Sequence, residues 1–482
     1  MTSLLTIRDR LNIFRRYITR SNLDFKQYQA DGVEWCLNNE LSSKPLYNVR
    51  GGFIADEMGL GKTILMIGTC LANQVPTTLI VVPPILIQQW VSQIFKTTGH
   101  KALVFHGPYK KKITLERIKQ ARIVITSYGA ISLSKTKIQN GGRSILHNMD
   151  WSRIIFDEAH HLRNSTSKFY GAKLLKSNIR WLVSGTPIQN KKNDFYNLCS
   201  VLTLPASFYT ENSNLLTLAR TFILKRTKLQ ANINNMTDVI STHNIIDWKH
   251  PKEQELSEYI HSTLDFSNVP VKTDAITIHS VKYSKNKLSN ILKARQICTF
   301  PKLIQNSFGG VPAYYNDAFQ QSSKLDTVID TVVANKDNSN GKLIFCNFKL
   351  EITEIYNRLA RSGFLDIAII DGTTSNSQKT SILNSKHDVL ILQIQTCCEG
   401  LNLQEHFSEV YFVSPNWNPF IEEQAIARCH RFGQLKDVHV FRFQMNNFTS
   451  LTSLTSLKPT VSVDKYITLV QDNKKILANL VV

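Results

Sequence analysis

Residues Asp56–Thr63 read Asp-Glu-Met-Gly-Leu-Gly-Lys-Thr and lie between an apolar stretch and Ile64–Ile67. A loop joining a strand to a helix in this way turns backbone N–H groups toward phosphate at the positive end of the helix. Around Gly59 and Gly61, the Lys62 ammonium can reach β and γ phosphates and the Thr63 hydroxyl can hold Mg2+. Asp56 stands where the general pattern has its first glycine. Taken alone, the loop is either a phosphate cradle or a Gly-rich turn with an exposed lysine. Asp157-Glu-Ala-His160 follows the apolar Ile154–Phe156, where an open parallel sheet presents its ligand-binding ends. Asp157 is placed to hold Mg2+ through water, and Glu158 to orient and deprotonate an attacking water. An acidic helix N-cap would look the same in isolation. The two strings in order, in one stretch of alternating strands and helices, favour a site for ATP and Mg2+. Ser184-Gly-Thr-Pro187 follows Trp181–Val183, and the hydroxyls of Ser184 and Thr186 become candidates for coupling nucleotide state to movement.

Far downstream, Gln424, Arg428 and Arg431 share one face of an expected helix by i, i+4 and i+7 spacing. Arginines brought to a transferring γ-phosphoryl group stabilise its charge, an effect worth about 10³–10⁵ in rate. A solvated basic helix face is the plainer alternative.

Positioning these groups requires two sets of strands. Leu79–Val82, Ile123–Ile125, Ile154–Phe156 and Trp181–Val183 are short continuous apolar runs, each followed by small or polar residues. Such runs suit buried parallel strands in β-α-β units. The rhythm fades over 231–320, then returns at Lys342–Phe345, Ile367–Ile370, Val389–Leu392, Val410–Val413 and Val438–Phe441. The expected fold is α/β, with two RecA-like, doubly wound parallel-sheet lobes in tandem and a helical insertion between them. The expected segments are a basic amphipathic helix (1–21), a first, ATP-binding lobe (22–230), an inter-lobe linker or helical insertion (231–320) and a second lobe with a terminal brace helix (321–482). In the first segment, Leu4, Ile7, Leu11, Phe14 and Ile18 recur at helical spacing among five arginines. A transit peptide shares that composition, but nothing marks a cleavage site.

The chain has 482 residues, 42% hydrophobic and 20% charged, which is an ordinary globular balance. A net charge of +20 favours a polyanionic partner. The eight cysteines form no Cys-x-x-Cys pair, which fits a reducing compartment and argues against a structural zinc module. No apolar run reaches membrane-spanning length.

In order and over nearly the whole chain, these motifs resemble the SWI/SNF-type ATPases of helicase superfamily two, with a DEAH-type second motif. The resemblance includes Tyr28–Trp35, Leu79–Pro84 with Trp90, Ile125–Tyr128, Asp157–Asn164, Ser184–Asn190, Leu224–Lys228, Arg295–Cys298, Ser323–Leu325, Asp371–Thr374, Trp417–Pro419 and the arginine segment. It implies that Gln29 reads adenine and that Arg428 and Arg431 are an arginine-finger pair. It also makes Gly400 and Gln424 coupling residues, and Thr126, Ser127, Asn402 and Trp417 contacts to double-stranded DNA. The implied activity is ATP-driven translocation along duplex DNA without strand separation, remodelling protein–DNA complexes, with nucleosomes or transcription machinery as further partners. The implied setting is intracellular, in the nucleus or at a viral replication site. The alternative is a nucleotide-gated DNA-binding subunit with little turnover. Cys397 and Cys398 stand where the family usually has glycines.

Overall fold

A computed structural model describes residues 5–185, 192–231, 236–262, 264, 285–307, 313–397, 402–431, 433–448 and 461–481. The chain divides into two compact units: Met1–Asn234 with Ile476–Val482, and Asn235–Lys475.

Unit 1 is built on seven parallel strands: β1 (Arg50–Ile54), β2 (Thr78–Val82), β3 (Leu103–Phe105), β4 (Ile123–Ser127), β5 (Asp150–Asp157), β6 (Lys176–Val183) and β7 (Ile223–Leu224), in the spatial order β3-β4-β2-β5-β6-β1-β7. β2 is buried at every residue, as a strand covered on both faces must be. β1 and β2 are separated in the sheet by β6 and β5, which makes a switch point where ligands bind in open α/β sheets.

The first helix, Ile7–Arg20, starts at a Thr6/Asp9 capping box and buries Phe14, Tyr17 and Ile18. Phe14 packs so closely on Gly68 of the helix Lys62–Ala72 that a β-carbon there would lie 2.4 Å from its Cδ2. Arg10 ends that helix by donating to the Ala72 carbonyl (2.9 Å) and Asn73 Oδ1 (3.0 Å). Beneath it, the buried Glu40 carboxylate accepts from Arg153 Nε (2.7 Å), Asn73 Nδ2 (2.7 Å) and Trp181 Nε1 (2.8 Å). Arg153 also donates to the Asn73 carbonyl (2.8 Å). One satisfied charge network therefore joins the helix Gln27–Leu41, the end of Lys62–Ala72, β5 and β6.

Unit 2 has six parallel strands: β8 (Val239–Ile246), β9 (Gly341–Cys346), β10 (Ile367–Ile370), β11 (Val389–Gln393), β12 (Phe407–Phe412) and β13 (Val438–Met445), ordered β10-β11-β9-β12-β13-β8. The segment expected to lie between lobes is part of this unit. β8 pairs with β13 along its whole length, and Leu256, Ile260, Ile291 and Ile297 enter the same core as β9 and β11. β8 escapes an apolar-run search because it is an edge strand, exposed from Val239 to His243. The final helix, Val463–Val481, starts at this core, where the buried Asp464 carboxylate pairs with the buried Lys324 ammonium. His261 is fully buried beside it. Its Nδ1–H donates to the Ser257 carbonyl (2.7 Å), leaving Nε2 to accept from the Val463 N–H (3.1 Å).

Candidate active site

Four adjacent strands of unit 1 end in one row: Asp157 of β5 is in register with Val183 of β6, Val183 with Ile54 of β1, and Ile54 with Leu224 of β7. Parallel pairing with right-handed crossovers delivers all four C-terminal ends to one edge. The chain continues from them into Glu158, Ser184, Ala55–Thr63 and Lys225–Lys228. The motifs met separately along the sequence are therefore neighbours.

The phosphate loop turns through two left-handed glycines, Gly59 (φ 95°) and Gly61 (φ 75°), and Gly61 caps the helix that begins at Lys62. The Lys62 ammonium donates to the carbonyls of Asp56 (2.9 Å) and Glu57 (3.3 Å), bonds that phosphate oxygens would replace. Gly185 abuts the loop: a β-carbon there would lie 3.2 Å from Met58 Cγ and 3.3 Å from Lys62 Nζ. Ser184 is buried, and its N–H donates to the Ile54 carbonyl (3.0 Å). The Gln29 amide is buried against the loop and donates to the Leu60 carbonyl (3.3 Å).

Asp157 is held on three sides. Its Oδ2 accepts from the Trp90 indole N–H (2.7 Å), its Oδ1 from the Glu158 N–H (3.0 Å), and its carbonyl from the Tyr128 hydroxyl (2.6 Å). Burial, then the neighbouring Glu158, push its carboxyl up to about 7, against the opposing pull of Trp90 and Lys62. Glu158 itself occupies the left-handed region (φ 51°, ψ 49°), and its carboxylate lies 3.2 Å from His160 Nδ1. His160 stacks on His161 at 4.7 Å, and His161 lies 5.2 Å from the Tyr128 ring. Asp157 and Glu158 thus bring two carboxylates to the end of β5, and carboxylate oxygens are hard donors of the kind Mg2+ takes.

Trp90 and Tyr128 carry no chemistry of their own in the sequence. Both fall within the strand motifs that carry the family resemblance, but no role was assigned to them there; that a buried indole or phenol needs a partner is the signal that could have assigned one.

Several expected site residues stand differently. Thr126 is fully buried, with its hydroxyl donating to the Phe105 carbonyl (2.8 Å), and Ser127 is buried at 3.0 Å from His106 Nδ1. β4 is an interior strand between β3 and β2, and the two residues lie at its C-terminal end. Arg428 and Arg431 do not continue a helical face with Gln424. The helix Pro419–Ile426 ends first, and the chain tightens into turns in which the Arg428 N–H donates to the Ala425 carbonyl (3.1 Å) and the Cys429 N–H to the Ile426 carbonyl (3.0 Å), three residues back rather than four. The Arg431 guanidinium donates to Asn402 Oδ1 (2.5 Å), and burial, then Arg428, lower its pKa. Gln424 is buried, whereas Asn402 is exposed. Trp417 is half-buried: its carbonyl accepts from Lys474 Nζ (2.6 Å), and its ring lies 5.9 Å from that of Tyr466. Thr186 and Gly400 lie outside the described residues. No helix among the described residues is long and apolar enough to cross a membrane.

Comparison with known proteins matches residues 28–303 to the SNF2-related domain and 323–433 to the helicase conserved C-terminal domain. The probable global transactivator of Orgyia pseudotsugata multicapsid polyhedrosis virus is 25% identical over 449 residues, covering 88% of this chain and 87% of that protein. The ATP-dependent DNA helicase DDM1 of Arabidopsis thaliana is 25% identical, over 86% of this chain and 58% of its own length. The ISWI chromatin-remodeling complex ATPase ISW2 of Saccharomyces cerevisiae is 26% identical, over 88% and 39%. The chain thus spans little more than half of the second relative and less than half of the third. A solved Sulfolobus solfataricus SWI2/SNF2 ATPase core in complex with dsDNA matches at 24% identity and a TM-score of 0.39, covering 88% of each chain.

Proposed function

The chain belongs to the SNF2-related family of helicase-like ATPases, and from that premise we propose that it is a DEAH-type motor that couples ATP hydrolysis to movement along double-stranded DNA. The observation that carries this reading is the single row of strand ends, which gathers the phosphate loop, Asp157-Glu158 and Ser184 at one edge of one sheet. Lys62 exchanges its carbonyl bonds for β and γ phosphate oxygens, and Gln29 reads the adenine from beside the loop. Thr63 and Asp157 are the residues that would hold Mg2+, which when bound supplies charge neutralisation at the phosphates. Glu158 orients a water and takes its proton as the oxygen attacks the γ-phosphorus. Arg428 and Arg431 stabilise the charge that develops on the transferring group. Ser184, Thr186, Gly400 and Gln424 relay nucleotide state to the DNA-contacting residues, for which Thr126, Ser127, Asn402 and Trp417 are the candidates. The net charge of +20 supports a polyanionic track. The work done on that track is the remodelling of protein–DNA complexes, including nucleosomes or transcription machinery, in the nucleus or at a viral replication site.

The test is steady-state ATP hydrolysis by the full chain with duplex DNA, single strands, RNA and no nucleic acid. Duplex DNA raises the rate, and the gain falls steeply with salt. Glu158→Gln binds ATP and does not turn it over. A rate indifferent to duplex DNA refutes the motor, leaving a nucleotide-gated DNA-binding subunit if DNA is still bound. Near-normal turnover by Glu158→Gln refutes the assigned base.

A further inference from the structure

Asp56 occupies the position where a phosphate loop ordinarily has glycine, and the residue that answers it lies far along the chain. The Asp56 carboxylate is fully buried and is gripped at both oxygens by Arg226, Nε to Oδ1 at 3.0 Å and NH2 to Oδ2 at 2.5 Å. The third guanidinium nitrogen donates to the Tyr28 carbonyl, and the guanidinium carbon sits 5.6 Å from the Tyr28 ring centroid. Tyr28 immediately precedes Gln29, whose amide holds the far side of the loop through Leu60. The helix Gln27–Leu41 makes room for this arginine at Gly32, where a β-carbon would lie 2.8 Å from Arg226 NH2. The backbone repeats the connection: Ala55 N–H donates to the Leu224 carbonyl (2.7 Å), and Glu57 N–H to the Arg226 carbonyl (2.9 Å). Lys228 N–H donates to Glu57 Oε2 (2.8 Å), and its ammonium lies 3.8 Å from Glu57 Oε1.

We propose that Arg226 is a positioning residue for the nucleotide site, binding the phosphate loop to the segment by which the chain leaves unit 1. The inference rests on the nucleotide pocket described above. Asp56 and Glu57 are the residues whose carbonyls hold the Lys62 ammonium. A displacement of 224–228 therefore moves the two carbonyls that set where Lys62 points. Residues 224–228 also shortly precede Asn235, where unit 2 begins. A planar fork suits this place, because its parallel N–H groups meet both carboxylate oxygens while a third reaches the carbonyl, a geometry that three donors on a single lysine nitrogen do not reproduce.

The experiment measures binding of a fluorescent ADP analogue to the full chain, without turnover, beside thermal unfolding. Arg226→Lys keeps the charge and removes the fork; its nucleotide affinity falls by about 10–100-fold while its unfolding midpoint stays within about 3 °C of wild type. Asp56→Asn causes a comparable loss, and the double variant is no worse than the weaker single, as two residues acting through each other require. Wild-type binding matched by Arg226→Lys overturns the proposal. So do losses that multiply in the double variant, or losses that track only the unfolded fraction. A wild-type chain that binds no nucleotide overturns the ATPase reading itself, and is seen before any variant is compared.

Discussion

Trp90→Phe removes the indole N–H from the site and keeps an aromatic ring in the same buried cluster, at the loss of the volume of the second ring. The lost bond is the 2.7 Å indole contact to Asp157 Oδ2, made to a fully buried carboxylate whose pKa already stands at about 7 because burial and Glu158 disfavour its charge. Hydrogen bonds to charged groups contribute about 1.5–3 kcal/mol, so the ionised form of Asp157 is disfavoured by about 10- to 150-fold in the variant. A metal ligand must be ionised to bind, and the apparent affinity for Mg2+ falls by up to that factor. The sign with pH follows. Raising pH restores the carboxylate, so the deficit is largest at and below neutrality and shrinks at alkaline pH. The assay is ATP hydrolysis against free Mg2+ at several pH values, paired with nucleotide binding in the presence and absence of Mg2+. Saturating Mg2+ rescues the rate. A variant with unchanged Mg2+ dependence, or one whose lost rate no Mg2+ concentration restores, refutes the role assigned to the indole.

Two further perturbations test the frame around the site. Glu40→Gln leaves the buried Arg153 guanidinium without its counter-charge; loss of one partner of such a pair costs about 3–5 kcal/mol. For a unit of this size the unfolding midpoint then drops by about 6–20 °C, and a shift below about 2 °C in calorimetry would show that the network is not stabilising. In unit 2, burial lowers the His261 pKa from 6.5 to about 4, opposed by its bond to the Ser257 carbonyl and by Asp464. The unfolded chain therefore binds the extra proton first, and stability is lost as pH falls from 6.5 toward 4, by about 3 kcal/mol in full. Urea unfolding at pH 7 and pH 4.5 should show wild type losing more than His261→Gln, and equal losses would remove His261 from the acid response.

What was legible in the sequence is what is local. Asp56–Thr63, Asp157–Glu158 and Ser184 each follow an apolar run, and the run predicts the strand whose end presents them. The two-sheet α/β fold follows from the same runs. Long-range partners left no comparable mark. Trp90 meets Asp157 across 67 positions and Arg226 meets Asp56 across 170, and neither partner carries a spacing rule. β8 was hidden because an edge strand needs no continuous apolar face. The arginine segment misled for a different reason. Helical spacing is meaningful only while each carbonyl accepts from the residue four ahead, and at Arg428 and Cys429 the N–H groups reach back only three.

The same contrast explains the one strained residue at the strand end. A left-handed glutamate costs about 1–3 kcal/mol and persists only where its surroundings over-determine it. At Glu158 they do so from both sides. Asp157 is pinned at Oδ2 by Trp90 and at its carbonyl by Tyr128, while His160 lies beside the Glu158 carboxylate. Across the strained turn the Asp157 carboxylate meets the Trp90 indole, and that of Glu158 meets His160 Nδ1. An extended backbone at 158 would continue β5 and send its side chain to the opposite face of the sheet from that of Asp157. The strain is what lets one strand end carry the two carboxylates proposed as metal ligand and base, and the indole and phenol are what hold Asp157 in place.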